Sequence, residues 1–105
     1  MYMPDIYRAL GDPTRRKILL MLKSGDKTQK EIVAAFNISQ PAVKKHLKVL
    51  LDEQIIKEQI HGKYRIYHLD LHMLQTAYQE MLHDIGDLLD HKLHSLKDYM
   101  EKGED

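Results

Sequence analysis

A chain of 105 residues with 43% apolar content is long enough to bury one core and too short to bury two comfortably, so a single domain over residues 1–105 is expected. It has no cysteine, which excludes a disulfide framework and any thiolate metal or redox site, and no apolar run approaches the roughly 20 residues of a membrane helix. The formal net charge of zero is unevenly divided: residues 1–68 hold 13 Lys and Arg against 7 Asp and Glu, whereas residues 69–105 hold 3 against 9. A basic body attracts a phosphate backbone, and an acidic tail turned away from it keeps the wrong face off nucleic acid. Met1–Leu10 lacks the apolar centre of a signal peptide, and the expected location is the cytoplasm.

In chain order, Asp5–Leu10 reads as a short helix with Ile6, Ala9 and Leu10 on its apolar side and Gly11 as its stop. Asp12 then caps a second helix whose first position is Pro13, where a missing N–H costs little, and Ile18, Leu19, Met21 and Leu22 carry it to Ser24-Gly25-Asp26. Arg15 and Arg16 read as solvated or locally paired rather than as nucleic-acid contacts.

Thr28–Leu51 reads as a helix-turn-helix: an amphipathic helix, a short polar turn centred on Asn37, and a more basic second helix capped by Ser39. At 100° per residue Val43, Leu47 and Leu50 share one stripe, while Pro41, Lys44, Lys45 and Lys48 fall on the opposite half. An outward N-terminus on this second helix offers free N–H groups to a phosphate, and the Gln40 amide suits bidentate pairing with adenine. Thr28 and Gln29, which open the stretch, are counted with the same DNA-facing surface.

Ile55–Ile60 and Tyr64–Leu69 are β-branched and aromatic runs joined through Gly62, which supplies the positive φ of a tight turn; they predict a hairpin whose tip carries His61, Lys63 and Arg65. A hairpin after a helix-turn-helix makes a wing that reaches the DNA backbone or minor groove. From Leu71 the apolar residues Leu71, Leu74, Tyr78, Met81, Leu82, Ile85, Leu88, Leu89, Leu93, Leu96 and Met100 recur at three- and four-residue steps, predicting a helix over 71–102 with Gly86 as a point of weakness. Such a helix is about 48 Å long, more than a body of this size covers. The economical cover is a second copy, with Ile6, Leu10, Leu74, Tyr78, Leu82, Ile85 and Leu89 expected at a two-fold interface.

The run Ala9-Leu10-Gly11-Asp12-Pro13-Thr14-Arg15-Arg16-Lys17-Ile18-Leu19, then Ile38–Val43, His46–Leu50 and Gly62-Lys63-Tyr64 leading to Tyr67-His68-Leu69, resembles the ArsR-type winged-helix repressors over nearly the whole chain. The resemblance implies a mainly α fold with a small β-hairpin in the order α-α-α-α-β-β-α, and a homodimeric repressor joined through its first and last helices on a roughly palindromic double-stranded operator. Carried over position by position, the DNA-reading helix falls on Ser39, Gln40, Ala42, Lys44, Lys45 and His46, and the wing on His61–Arg65. Where many relatives have a small serine two residues before the histidine, this chain has Lys44, which favours phosphate contact.

Metal-sensing relatives place thiolates in the segment matching Ile32–Phe36, which has none here, or combine Asp-x-His with His-x-x-His along the last helix. Asp70, His72 and His83 match three positions of the second pattern, but Gly86 stands at the fourth. Four-coordinate zinc is short of a ligand, and the expectation is no metal and no cofactor. The alternatives are a metal-responsive repressor using Asp70, His72 and His83, or a winged-helix protein-interaction module. No phosphate-binding glycine loop and no nucleophile with a base appears, so an enzyme is not expected.

Overall fold

The computed structural model describes residues 3–102, apart from the side chains of residues 92, 93 and 102. Its elements are α1 (Ile6–Leu10), α2 (Pro13–Lys23), β1 (Lys27–Thr28), α3 (Gln29–Ala34), α4 (Gln40–Asp52), β2 (Ile56–His61), β3 (Tyr64–Leu69) and α5 (Leu71–Lys102). The caps read from sequence at Asp12 and Ser39 are formed, accepting from Thr14 N and Ala42 N, and Asp5, expected as the first residue of α1, is its cap and accepts from Arg8 N. The hairpin register runs from Ile56 opposite Leu69 to His61 opposite Tyr64, and Gly62 takes φ 61° at its tip.

Three features differ from the sequence reading. Thr28 caps α3 in a reciprocal box with Glu31, but with Lys27 it also forms a third strand, pairing antiparallel with β3 in the sheet order β1-β3-β2. Two residues carry no strand signal of their own; the free edge of β3 recruits them. Gly11 ends α1 with right-handed backbone, φ −71°, and its smallness matters for another reason: a Cβ there would stand 2.7 Å from the Tyr7 carbonyl oxygen. Gly86 does not break α5, which is continuous from Leu71 to Lys102.

The core is one cluster in which Ile18, Ile32, Val43, Leu47, Leu50, Ile55 and Ile56 are essentially sealed from solvent. Each helix contributes the stripe its periodicity assigned, so α4 turns Val43, Leu47 and Leu50 inward and leaves Lys44, Lys45 and Lys48 outside. Ile6, expected at a dimer interface, is only 4% exposed within its own chain, because α1 is too short to have an apolar face to spare after docking on the core. What little of it remains exposed borders the apolar groove between α2 and α5.

One carboxylate enters this core region. Glu53, 5% exposed at the end of α4, accepts from Asp5 N at 2.8 Å and from Arg8 Nη1 at 2.6 Å, tying the start of α1 to the C-terminal end of α4. Beyond Met81, α5 leaves the body, and the overall extents of 73 × 32 × 21 Å record the projecting helix.

Candidate nucleic-acid interface

Helices α3 and α4 are joined by residues 35–39 and present the exposed side of α4 next to the hairpin. Lys44 and Lys45 are exposed and make no ion pair among the described residues, whereas Lys48 reaches Asp52 at 3.3 Å one turn along. An exposed pair of that kind contributes little, so Lys48 can exchange Asp52 for a phosphate at small cost. The free N–H groups expected at the start of α4 are reduced. Pro41 has no donor and Ser39 Oγ takes the Ala42 N–H at 3.3 Å, which leaves those of Ser39 and Gln40.

Between the N-terminal ends of α3 and α4 and the hairpin lies a notch of about 600 Å³ lined by Thr28, Gln29, Lys30, Gln40, Lys63, Tyr64 and Arg65, with Val33 and Ala34 at its floor. Five of these residues were singled out for the interface from sequence and Tyr64 lay within the expected wing; Lys30 was not expected. Lys30 is one exposed lysine on a six-residue helix, and nothing local marks it until the wing folds back beside it. Lys63 lies 5.5 Å from the centre of the Tyr64 ring, a cation–π contact that holds the lysine at the mouth of the notch. Arg65 pairs with Glu58 at 3.3 Å, so part of its charge is already answered. His61 bonds Gln59 at the hairpin tip and does not line the notch.

Gln29 is positioned from below. The Tyr67 hydroxyl, on a side chain only 3% exposed, donates to Gln29 Oε1 at 3.0 Å, leaving the amide N–H groups as what Gln29 offers a ligand. Burial, reinforced by the Glu58 carboxylate, pushes the Tyr67 hydroxyl above its ordinary pKa, so it remains a donor. The Thr28 backbone N–H, which donates to Glu31 at 3.1 Å, holds the Glu31 carboxyl below its ordinary value.

His46 is placed differently from its assignment as a base-reading residue. Its side chain is 20% exposed, Nδ1 lies 3.0 Å from Arg15 Nη1, and Nε2 lies 4.0 Å from Asp12 Oδ1, so it braces α4 against the start of α2. The Thr14 backbone N–H, and after it the charge of His46, keep the Asp12 carboxyl below its ordinary value. Arg15 also donates through Nε to the carbonyls of Arg8 and Ala9, and Arg16 donates to Leu10 O, closing the C-terminal end of α1 as locally paired arginines do.

The partial metal set does not come together. Asp70 Oδ1 accepts from Met73 N at 3.0 Å as the cap of α5, and its other oxygen lies 3.9 Å from Lys57. His72 and His83 stand three turns apart on one continuous helix, about 16 Å along its axis, and His83 faces Asp87. Within one chain these donors cannot share an ion.

Of the other residues expected at a dimer interface, Leu10 and Leu74 are half-buried along an apolar groove between α2 and α5, and Tyr78, Leu82, Ile85 and Leu89 are exposed. No helix among the described residues is long and apolar enough to cross a membrane.

A helix-turn-helix with a basic outer face, flanked by a hairpin wing that closes a cationic notch, defines a winged-helix DNA-binding protein. The bacterial regulatory protein family named arsR matches residues 12–58, from the cap of α2 through the helix-turn-helix into β2. The transcriptional repressor SdpR of Bacillus subtilis is 40% identical over 84 residues, covering 80% of this chain and 93% of that one. The arsenical resistance operon repressor of Staphylococcus xylosus is 29% identical over 72% of this chain and 73% of its own length. Among solved structures, an ArsR-like transcriptional regulator from Rhodococcus sp. RHA1 superposes with a TM-score of 0.74 at 26% identity, covering 92% of this chain and 88% of that one. The chain belongs to the ArsR family of bacterial transcriptional regulators; it is a DNA-binding regulator and not an enzyme.

Proposed function

We propose that this regulator is a homodimeric repressor that binds a roughly palindromic operator without a metal. In this reading α4 enters the major groove with Gln40 and Ala42 at base edges, and Lys44, Lys45 and Lys48 take phosphates beside them. Lys30, Lys63 and Arg65 in the notch grip the flanking backbone, with Thr28, Gln29 and Ser39 adding neutral hydrogen bonds. His46 acts as a brace rather than a reader, and His61 contacts DNA only if the wing tip reaches the minor groove. The observation that carries this reading is the convergence of three cations, from α3, the hairpin turn and β3, on one notch beside the exposed face of α4.

The dimer rests on the uncovered apolar stripe of α5, and the metal-free reading on Gly86, which leaves the set Asp70, His72 and His83 one ligand short of four. Footprinting of the purified protein on DNA upstream of its own gene should give a protected segment with two-fold symmetry and half-sites about one helical turn apart. Protection unchanged by zinc and by chelator supports the metal-free reading; release of the DNA by stoichiometric zinc refutes it. A footprint without symmetry refutes the dimer on DNA.

A further inference from the structure

Helix α4 is held by contacts of two kinds. Val43, Leu47 and Leu50 anchor it in the core, but apolar packing has no direction and leaves a helix room to roll. At one edge of that stripe His46 adds a directional contact, with Nδ1 3.0 Å from Arg15 Nη1 on α2. A guanidinium has only N–H donors, so Nδ1 is the acceptor and carries no proton; in the neutral ring the proton sits on Nε2. That nitrogen lies 4.0 Å from Asp12 Oδ1, beyond hydrogen-bond reach, and the oxygen already accepts from Thr14 N at 2.8 Å.

The donor is fixed before His46 meets it. Arg15 Nε donates to the carbonyls of Arg8 and Ala9 at 3.1 and 3.2 Å, and Nη2 lies beside Gly11, 3.7 Å from where a Cβ would stand. The end of α1 therefore aims the guanidinium, and α4 is pinned to a group that is itself held. A proton on Nδ1 reverses the contact: the acceptor becomes a donor, the bond to Arg15 is lost and two cations face each other. Asp12, on the other side of the ring, then becomes the favourable partner.

We propose that this bond is a proton-sensitive pin on the DNA-reading helix: with Nδ1 bare it fixes the roll of α4, and a proton on Nδ1 releases it, so that discrimination between operator and other DNA falls as the pH drops. This deepens the reading of α4 as the base-reading helix and rests on it. Reading a base edge needs side chains placed to within about 0.5 Å, so a small roll that leaves the core intact misplaces Gln40 and Ala42. The phosphate contacts of Lys44 and Lys45, on long flexible stems, survive the same roll. The other charged groups on elements packed against α4 are engaged elsewhere. Arg8 of α1 pairs with Glu53, Arg16 and Lys17 of α2 donate to backbone carbonyls, and Glu31 of α3 is closed in its box with Thr28. Lys30 lines the notch, Lys57 pairs with Asp70, and Glu58 with Arg65 borders the opposite edge of α4 beside Lys44 and Leu51. Arg15 and Asp12 decide the partner of the ring in each of its protonation states.

Fluorescence anisotropy at constant ionic strength, from pH 8 to pH 5.5 across the ordinary histidine range, gives the ratio of operator to random-duplex affinity. Charge gained by other histidines, such as His61 at the wing tip, acts on both duplexes and cancels in the ratio. The wild-type ratio should fall by about tenfold, the size of one hydrogen bond to a charged group. His46→Asn keeps an acceptor near the place of Nδ1 and does not titrate, so it should match the wild type at pH 8 to within about twofold and stay flat. His46→Leu should be low at both ends. A residue that only supported the fold would not separate His46→Asn from the wild type by pH. Long-range proton–nitrogen correlation spectra of the wild-type ring should show Nδ1 without a proton at pH 8. A proton on Nδ1 there, a flat wild-type ratio, or a His46→Asn ratio that falls like the wild type overturns the pin, and leaves the reading of α4 standing where Lys44→Ala and Lys45→Ala weaken binding. If neither lysine change weakens binding, the reading of α4 falls and the pin falls with it.

Discussion

Replacing Lys30, Lys63 and Arg65 together with alanine tests whether the notch lies on the DNA backbone. Each phosphate contact lowers log K by roughly 0.9 per unit of log salt, which between 50 and 200 mM amounts to about 3.5-fold in affinity. Three full contacts would therefore account for about 40-fold of the salt response. Arg65 is already held by Glu58 at 3.3 Å and exchanges one partner for another, so a loss of about two to three in the slope is expected. The side chains are exposed and none supports the core, so the thermal midpoint should stay within a few degrees. Fluorescence anisotropy at several salt concentrations, with operator and with random duplex, reads the slope for both; the decrease should be equal, because phosphates carry no sequence. Lys97→Ala, on the projecting end of α5, serves as the control and should leave the slope unchanged. If the triple variant keeps its slope to within about half an ion, the notch is not on the phosphate path, and the wing does not touch DNA as proposed.

Two other perturbations follow from buried and capped groups. Glu53→Ala removes a buried acceptor from Arg8 and Asp5 N; because Arg8 is half-exposed and has Asp52 at 3.9 Å as a second partner, the cost should be about 2 kcal/mol rather than the larger loss of a sealed pair, lowering the midpoint in calorimetry by about 10 °C. Glu31 and Asp12 have folded-state pKa values below their ordinary 4.5 and 3.8, so the stability they contribute is fully present above those values and is lost as pH falls through the lowered ones. Thr28→Val keeps the backbone N–H that does most to lower the Glu31 value and loses only the hydroxyl, so it should flatten the acid limb of a stability–pH curve in part; Glu31→Gln removes the carboxyl and should flatten it further, and a limb unchanged in Glu31→Gln would show that Glu31 does not contribute.

Much of this protein was legible in the sequence because its signals are local. Asp12-Pro13 and Ser39-Gln40-Pro41 mark helix starts by chemistry within one turn, Gly62 marks the hairpin tip by a φ that few other residues adopt, and the period of α4 separates core from surface whatever it packs against. Charge partition and motif spacing then sufficed to point to DNA. Whatever depends on a distant neighbour was left to the tertiary structure. Lys27–Thr28 became a strand only because β3 offered an edge, His46 turned to Arg15 and Asp12 because α2 crosses beside it, and Ile6 was drawn into the core because α1 docks on it. Lys30 joined the interface only when the hairpin, more than thirty residues later in the chain, closed over the end of α3. Periodicity assigns a side chain to a face of its own helix. Only packing decides what stands opposite that face, because long-range contacts are set by the whole core and not by any single segment.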